Sequence, residues 1–177
     1  DVNDAVNLDG YAELKRFRIQ FQGIQEIYHL AVPTSAKNFD ALRESTLLAN
    51  CYGMRNVLEL AKKHSAKFLH ASSSVVYGPR RSGHDVFAED DLGEVNHLSP
   101  RACYDEGRRF AETMVATYKQ IFGLDTRIAR IFRTYGPRLR LYDGEMIMDF
   151  ITDALDGKEL LALAFREVVH HHDVFEA

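Results

Sequence analysis

The hydrophobic residues of this chain follow two patterns that alternate along its length. Short, nearly continuous apolar runs are typical of buried strands, and longer stretches with an apolar residue every three or four positions are typical of helices. Three runs predict strands: "IQEIYHLAVP", "AKFLHASSSVVYG" and "DTRIARIFRTYGP". Three stretches predict helices: "FDALRESTLLANCYGMRNVLELAKKH", "YDEGRRFAETMVATYKQIF" and "EMIMDFITDALDGKEL". The last segment, "EVVHHHDVFEA", fits a short strand or the approach to a helix.

This alternation of strand and helix indicates an α/β fold with a parallel sheet flanked by helices. In such sheets ligands bind outside the carboxyl ends of the strands. We expect those ends at residues 29–33, 72–74 and 132–137. A long polar loop, "RRSGHDVFAEDDLGE", follows the second strand and is either a solvated connection or part of a ligand site.

Composition and charge narrow the class of protein. The chain has 177 residues and a formal net charge of −4, which favours one domain and gives no basic field for nucleic acid. No apolar run reaches the roughly 18 residues of a membrane span, and the N-terminal "DVNDAVNLDG" is unlike a secretory signal. The sequence thus predicts a soluble, cytoplasmic protein. Its two cysteines have neither disulfide-framework nor metal-ligand spacing, so no metal is expected.

The segment "PRACYDEGRR" contains a candidate for acid–base chemistry. Tyr104 precedes Arg108 by four residues, so both side chains lie on one face of the predicted helix. A neighbouring cation favours the phenolate and lowers the pKa of a tyrosine from about 10, as a general base requires. A serine of 72–74 can hold a substrate oxygen while the tyrosine takes its proton. The alternative is a structural pair, which is the commoner role for this spacing.

Four segments, in chain order, resemble the extended short-chain dehydrogenase/reductases, the NAD-dependent epimerase/dehydratase family. They are "IYHLAVPTS", "ASSSVVYGP", "PRACYDEGRRFAETM" and "RIARIFRTYGPRLRLYDGEMIMDFI". The piece "PRACYDEG" is the most specific, and it is most similar to the UDP-glucuronate decarboxylase branch. The resemblance implies a single, partial Rossmann-like NAD(P)-binding domain over residues 1–177, with the substrate-binding region starting near residue 138.

The resemblance also implies the chemistry and the residues that perform it. Family members bind NAD and a UDP-sugar, oxidise the sugar at C4, lose carbon dioxide from a C5 carboxylate and reduce the ketone again. The implied catalytic residues are Ser73, Tyr104 and Arg108. The implied cofactor-binding residues are Asp1, Val2, Leu30, Ala31, Asn50, Ser72, Tyr104, Arg108 and Phe132. The implied substrate-binding residues are Ser74, Arg133 and Arg166.

Four features depart from the family pattern. No Gly-x-x-Gly-x-x-Gly turn is found, so we expect the N-terminal Gly-rich βαβ portion to be lacking and NAD affinity to be low unless another segment supplies the site. Arg108 stands in place of lysine, and its planar fork is not equivalent to an ammonium group. Val75 replaces a glutamate and cannot exchange a proton. Arg133 replaces an asparagine and can either pair with an anion or fill the site.

These departures leave two alternatives to the decarboxylase open. One is a UDP-sugar 4-epimerase, which tolerates Val75, and the other is a non-catalytic binding or assembly module. The helix that carries Tyr104 is also expected to form a homodimer contact, as the superfamily implies. Two further features have simpler interpretations: Asp105 and Glu106 as charges that cap a helix start, and "HHHD" at 170–173 as a strand rather than a metal site.

Overall fold

The computed structural model describes residues 23–33, 40–79, 86–139, 141 and 146–158. Strand β1 spans Glu26–His29, β2 spans Lys67–Ser73 and β3 spans Thr126–Ile131. Helices span Arg43–Leu48 (α1), Met54–His64 (α2), Ala102–Phe122 (α3) and Met146–Leu155 (α4). All of the predicted strands and helices that fall within these residues are confirmed; the last segment, 167–177, lies outside them.

The three strands form one parallel sheet in the order β1–β2–β3. His29 pairs with His70 in one register, and Ser72 pairs with Arg130 in the other. Because the strands are parallel, their carboxyl ends lie at one edge, as the alternating sequence pattern predicts. The chain therefore has the predicted α/β architecture.

The core lies between one face of the sheet and helices α2 and α3. Phe68 of β2 and Leu58 of α2 are fully buried there, and their neighbours are mostly aliphatic. The cluster comprises Met54, Val57, Leu58, Ala61, Phe68, Ala111, Val115 and Leu124. Burying such side chains contributes about 1.5–3 kcal/mol each before conformational entropy is counted, so this packing fixes α3 over the sheet.

The first predicted helix is continuous but not uniform. A 3-10 turn at Asp40–Leu42 leads into α1, and a π-helical turn at Ala49–Gly53 connects α1 to α2. Helix α2 ends where Ser65 adopts φ 51°, a left-handed conformation. Leu47, one of the apolar residues of this predicted helix, is 49% exposed. The extra residue of the π turn shifts the helical phase, which a regular 3.6-residue pattern does not anticipate.

Helix α3 positions the residues of interest. It starts at Ala102, two residues before the predicted start, and Gly123 ends it with φ 67°. Asp105 lies in the first turn of α3, where an acidic residue favours the helix dipole, as predicted. The residue is 5% exposed, and its carboxylate accepts from Arg101 Nε at 3.1 Å. Glu106 pairs with Arg109 at 3.6 Å. Both acidic residues thus also bind arginine side chains near the start of the helix.

Candidate active site

The carboxyl ends of the three strands bring most of the predicted site residues to one edge of the sheet. Leu30 and Ala31 follow β1, the serines 72–74 end β2, and Phe132 follows β3. Leu30 is 67% exposed and Phe132 is 54% exposed. Exposed apolar side chains beside polar hydroxyls form an open edge, of the kind that receives a ligand in parallel sheets.

Tyr104 and Arg108 meet on one face of α3, as their spacing predicts. The guanidinium carbon of Arg108 lies 5.3 Å from the centroid of the Tyr104 ring, within cation–π range. A second guanidinium, that of Arg101, has its carbon 5.7 Å from the same centroid. The tyrosine is half-buried, with two cations close to its ring.

Arg108 is buried and makes a contact beyond the Tyr104 ring. It is 5% exposed, and its Nη1 donates a 2.8 Å hydrogen bond to the carbonyl of Ala71 in β2. This bond fastens α3 to the strand that ends in the serine cluster. The Nε of Arg108 is buried and has no hydrogen-bond partner among the described residues. Such a donor is costly to leave unsatisfied, so it favours a nearby acceptor.

The three serines differ in their surroundings. The Ser72 hydroxyl is buried and donates to Glu112 Oε1 at 2.5 Å. The Ser73 Oγ is half-buried and accepts from the Val75 backbone N–H at 3.4 Å, at the start of the 3-10 turn Ser74–Tyr77. Ser72 and Ser73 point to opposite faces because they are neighbours in a strand. Ser73, on the face opposite the Glu112 contact, retains a hydroxyl for a ligand.

Asn50, predicted to contact the cofactor, is completely buried in the π-helical turn. Its Nδ2 donates to Thr46 O at 2.9 Å, while its Oδ1 has no partner among the described residues. Gly107 of α3 packs directly against it, since a Cβ at that position would lie 2.9 Å from Asn50 Nδ2. The contact that the structure shows for Asn50 is thus with α3.

Two buried histidines lie close enough to Arg108 to be affected by its charge. Neither was identified from the sequence as a site residue. His29 and His70 are 3% and 0% exposed, and their ring centroids are 5.6 Å apart in a stacked arrangement. Burial, and secondarily the charge of Arg108, lowers the pKa of His29 to about 4. Burial, followed by the charges of His29 and Arg108, lowers the pKa of His70 to about 3. Both rings are therefore neutral at physiological pH.

A buried glutamate joins the site to the neighbouring strand and was also missed. Glu112, 9% exposed, accepts from Ser72 and from Arg130, whose Nη2 lies 2.9 Å from Glu112 Oε2. These hydrogen bonds raise the pKa of Arg130 above its ordinary value. One sequence signal was present: Glu112 follows Tyr104 and Arg108 at intervals of four, which puts a charge on the buried stripe of α3.

The remaining predicted residues divide into those on the surface and those outside the described residues. Arg133 is exposed, and Val75 is half-buried within the turn that follows Ser73. Asp1, Val2 and Arg166 lie outside the described residues, as does the "HHHD" segment. In the part of the chain that the structure describes, no group of three or more His, Cys, Asp or Glu side chains is arranged to hold a metal. None of the described helices is long and apolar enough to cross a bilayer.

Fold and site together define a Rossmann-like domain with a tyrosine and a cation at the carboxyl edge of its sheet. The family model described as "NAD dependent epimerase/dehydratase family" matches residues 4–177. The chain belongs to this family, whose cofactor is NAD. The residues at the edge fit such a dinucleotide, because the orphaned Nε of Arg108 and the hydroxyls of Ser73 and Tyr104 are groups that ribose hydroxyls satisfy.

Curated relatives carry the name of one activity in this family. The chain is 44% identical over 137 residues to UDP-glucuronic acid decarboxylase 1 of Xenopus tropicalis, covering 77% of the chain and 32% of the relative. It is 41% identical over 140 residues to UDP-glucuronic acid decarboxylase 6 of Arabidopsis thaliana, covering 79% and 40%. The chain thus spans less than half the length of these relatives. Their names give no support to the non-catalytic alternative.

Solved structures share the fold. A dTDP-glucose 4,6-dehydratase from Streptomyces venezuelae, with NAD and DAU bound, superposes with a TM-score of 0.68 at 25% identity, covering 90% of this chain and 44% of that one. A UDP-galactose 4-epimerase gives a TM-score of 0.64 at 25% identity, covering 91% and 48%. Both dehydratase and epimerase folds therefore match, which confirms the Rossmann-like prediction without separating the two activities.

Proposed function

We propose that this chain belongs to an NAD-dependent enzyme that modifies a nucleotide sugar, and that the reaction is decarboxylation of UDP-glucuronate. The observation that supports it is the Tyr104–Arg108 pair, which Arg108 joins to β2 through the carbonyl of Ala71, two residues before Ser73. Identity above 40% to two proteins named UDP-glucuronic acid decarboxylase favours this substrate over other UDP-sugars. Because the chain spans less than half of those relatives, the activity of the whole protein is part of the proposal.

In this proposal Tyr104 removes the proton of the sugar C4 hydroxyl, and Ser73 holds the same oxygen by a hydrogen bond. A cation beside a tyrosine favours its phenolate form, which is the role that Arg108 takes over from lysine. NAD, when bound, supplies the acceptor and later the donor of hydride at C4. A ketone at C4 is β to the carboxylate on C5, so the bond from C5 to the carboxylate carbon can break. Carbon dioxide leaves, and the electron pair of that bond stays on the sugar as an enolate with the C4 carbonyl until C5 is protonated.

We propose that the cofactor is held by Arg108, Ser73, Tyr104 and the exposed residues after β1. Leu30 and Ala31 provide the surface past which it runs, with Phe132 at the end of β3. Asp1, Val2, Asn50 and Ser72 remain predictions for the same role, and Ser74, Arg133 and Arg166 for substrate. Further predictions are one partial domain with its substrate region from about residue 138, a homodimer and a cytoplasmic location.

A 4-epimerase acting on a UDP-sugar is the second candidate, and Val75 favours it. This residue sits in the 3-10 turn directly after Ser73, at the carboxyl end of β2. Valine cannot donate or accept a proton, so steps that protonate C5 need another group. An epimerase moves hydride at C4 alone and has no such requirement.

The two candidates give different products from one substrate. Incubation with NAD and UDP-glucuronate should release carbon dioxide and a UDP-pentose if the chain decarboxylates, and UDP-galacturonate without carbon dioxide if it epimerises. Tyr104→Phe should abolish either reaction, because the base is removed, and should reduce but not abolish thermal stabilisation by NAD, because one of several proposed cofactor contacts is lost. A chain that NAD does not stabilise even at millimolar concentration would contradict both candidates, since a ligand at 100 times its Kd adds about 2.7 kcal/mol.

A further inference from the structure

The turn that follows Ser73 and the loop at 86–94 are packed onto each other without intervening side chains. A Cβ at Gly78 would lie 1.8 Å from the carbonyl oxygen of Glu94, and one at Gly93 would lie 2.0 Å from that of Val76. The rings of Tyr77 and Phe87 stack with centroids 4.8 Å apart. The loop and the turn are therefore one packed unit at the carboxyl edge of β2.

Two arginines from different elements bind the backbone of this unit. Arg109 of α3 donates from Nη1 to Val76 O at 2.9 Å and to Gly93 O at 3.0 Å. Arg130 of β3 donates from Nη1 to Glu89 O at 2.8 Å, and its guanidinium carbon lies 4.8 Å from the centroid of the Tyr77 ring. Hydrogen bonds from charged donors are roughly twice as strong as neutral ones, so the unit is fixed from two sides.

Glu112 orients one of these arginines and the end of β2 at the same time. Arg130 contacts both of its carboxylate oxygens, with Nε at 3.1 Å and 3.2 Å and Nη2 at 2.9 Å. The remaining capacity of Oε1 is used by the Ser72 hydroxyl, next to Ser73. One carboxylate on α3 thus connects Ser72, Arg130 and, through Arg130, the loop.

We propose that Glu112 is a positioning residue, which sets the location of Ser73 and of the loop 86–94 relative to Tyr104. Tyr104 and Glu112 lie on the same helix, about two turns apart. The network therefore connects the end of β2 and the loop 86–94 to the helix that carries the base. This proposal rests on the proposed function for its kinetic consequence, but the network itself involves no cofactor or substrate. A misplacement of about 1 Å at such a site lowers the rate by about 100-fold.

The test compares the wild-type chain with Glu112→Gln by hydrogen–deuterium exchange and by kinetics. The amide keeps the shape of the side chain but loses the charge that holds Arg130. We expect faster exchange in peptides covering 74–78 and 86–94, with 115–122 of α3 unchanged. With UDP-glucuronate and NAD, kcat should fall by about 100-fold while both KM values stay within about twofold. A matched control is Glu59→Gln, which removes a charge bound to Tyr118 on the far part of the helices.

Two results would overturn the proposal: unchanged exchange in both segments, or faster exchange throughout the chain, which would mean that Glu112 only maintains the fold. Arg109→Leu covers the case in which Glu112→Gln does not fold. It removes one hydrogen bond to the turn, at Val76 O, and one to the loop, at Gly93 O, without leaving a buried charge. If its loop 86–94 exchanges as in the wild type, the proposal is wrong. If the wild-type chain releases no carbon dioxide, the proposed function fails, and the exchange data still decide the role of Glu112.

Discussion

A change of pH from 7 to 5.5 should destabilise this chain by about 2–3 kcal/mol through its two buried histidines. His29 and His70 have folded-state pKa values of about 4 and about 3, well below the value of about 6.5 that an exposed histidine has in the unfolded chain. The unfolded state therefore binds protons as the pH passes below 6.5, and the folded state does not. Protons favour the state that binds them, so stability is lost as the pH falls.

The magnitude follows from the same values. Between pH 7 and 5.5 an unfolded histidine gains about 1 kcal/mol from protonation, while a folded one with a pKa of about 4 or lower gains almost nothing. Solvent screening does not reduce this figure much, because the two side chains are 3% and 0% exposed. Most carboxylates titrate below this pH range, so they contribute little to the change.

The assay is urea denaturation at several pH values between 5.5 and 7, with the wild-type chain and two variants. His70→Leu, an apolar replacement of similar volume, should reduce the pH-dependent loss to about half. His97→Gln, at an exposed position, is the control and should retain the full loss. An unchanged pH dependence in His70→Leu would refute the reasoning, since it would mean that His70 does not resist protonation in the folded state.

Three substitutions test helix α3, which carries Tyr104. Arg108→Lys keeps a cation on the helix face but replaces the fork bound to Ala71, and we expect a higher turnover; a lower one, in a coupled carbon dioxide assay, would mean that the arginine is an adapted part of the site. Gly107→Ala normally stabilises a helix by up to about 1 kcal/mol, but here its Cβ meets Asn50 and should lower the free energy of unfolding by about 1–2 kcal/mol in urea titrations. Gly123→Ala has open space and only a strained φ of 67°, so thermal melts should show a loss of about 1 kcal/mol. A loss in Gly123→Ala that is larger than the loss in Gly107→Ala would contradict the packing argument.

Several parts of the site were predictable because they depend on neighbours in the chain. The Tyr104–Arg108 contact follows from helical geometry over four residues, and the gathering of strand ends at one edge follows from the alternation of strand and helix. The serine cluster could be placed at that edge for the same reason. Its members could not be told apart, since the different roles of Ser72 and Ser73 depend on what packs against each face of the sheet.

Other parts depended on residues distant in the chain. Asp105 was expected as a charge at the helix start, but its ion pair with Arg101 was not predicted. The π turn changes the helical phase, so the exposure of Leu47 could not be read from a regular helical pattern. The burial of His29 and His70 could not be expected from two isolated histidines in strand-like runs. Their depressed pKa values arise from burial under the packed helices and from the charge of Arg108.

The sequence by itself determined the order of strands and helices, the parallel sheet, the edge at which the strand ends gather and the family, because each depends on local periodicity or on contiguous motifs. Only the tertiary structure decided that Arg108 binds Ala71, 37 residues away, and that Ser72 binds Glu112, 40 residues away. No local rule specifies such pairs. They form when hydrophobic packing brings α3 over β2, and the buried polar groups must then find partners in one another.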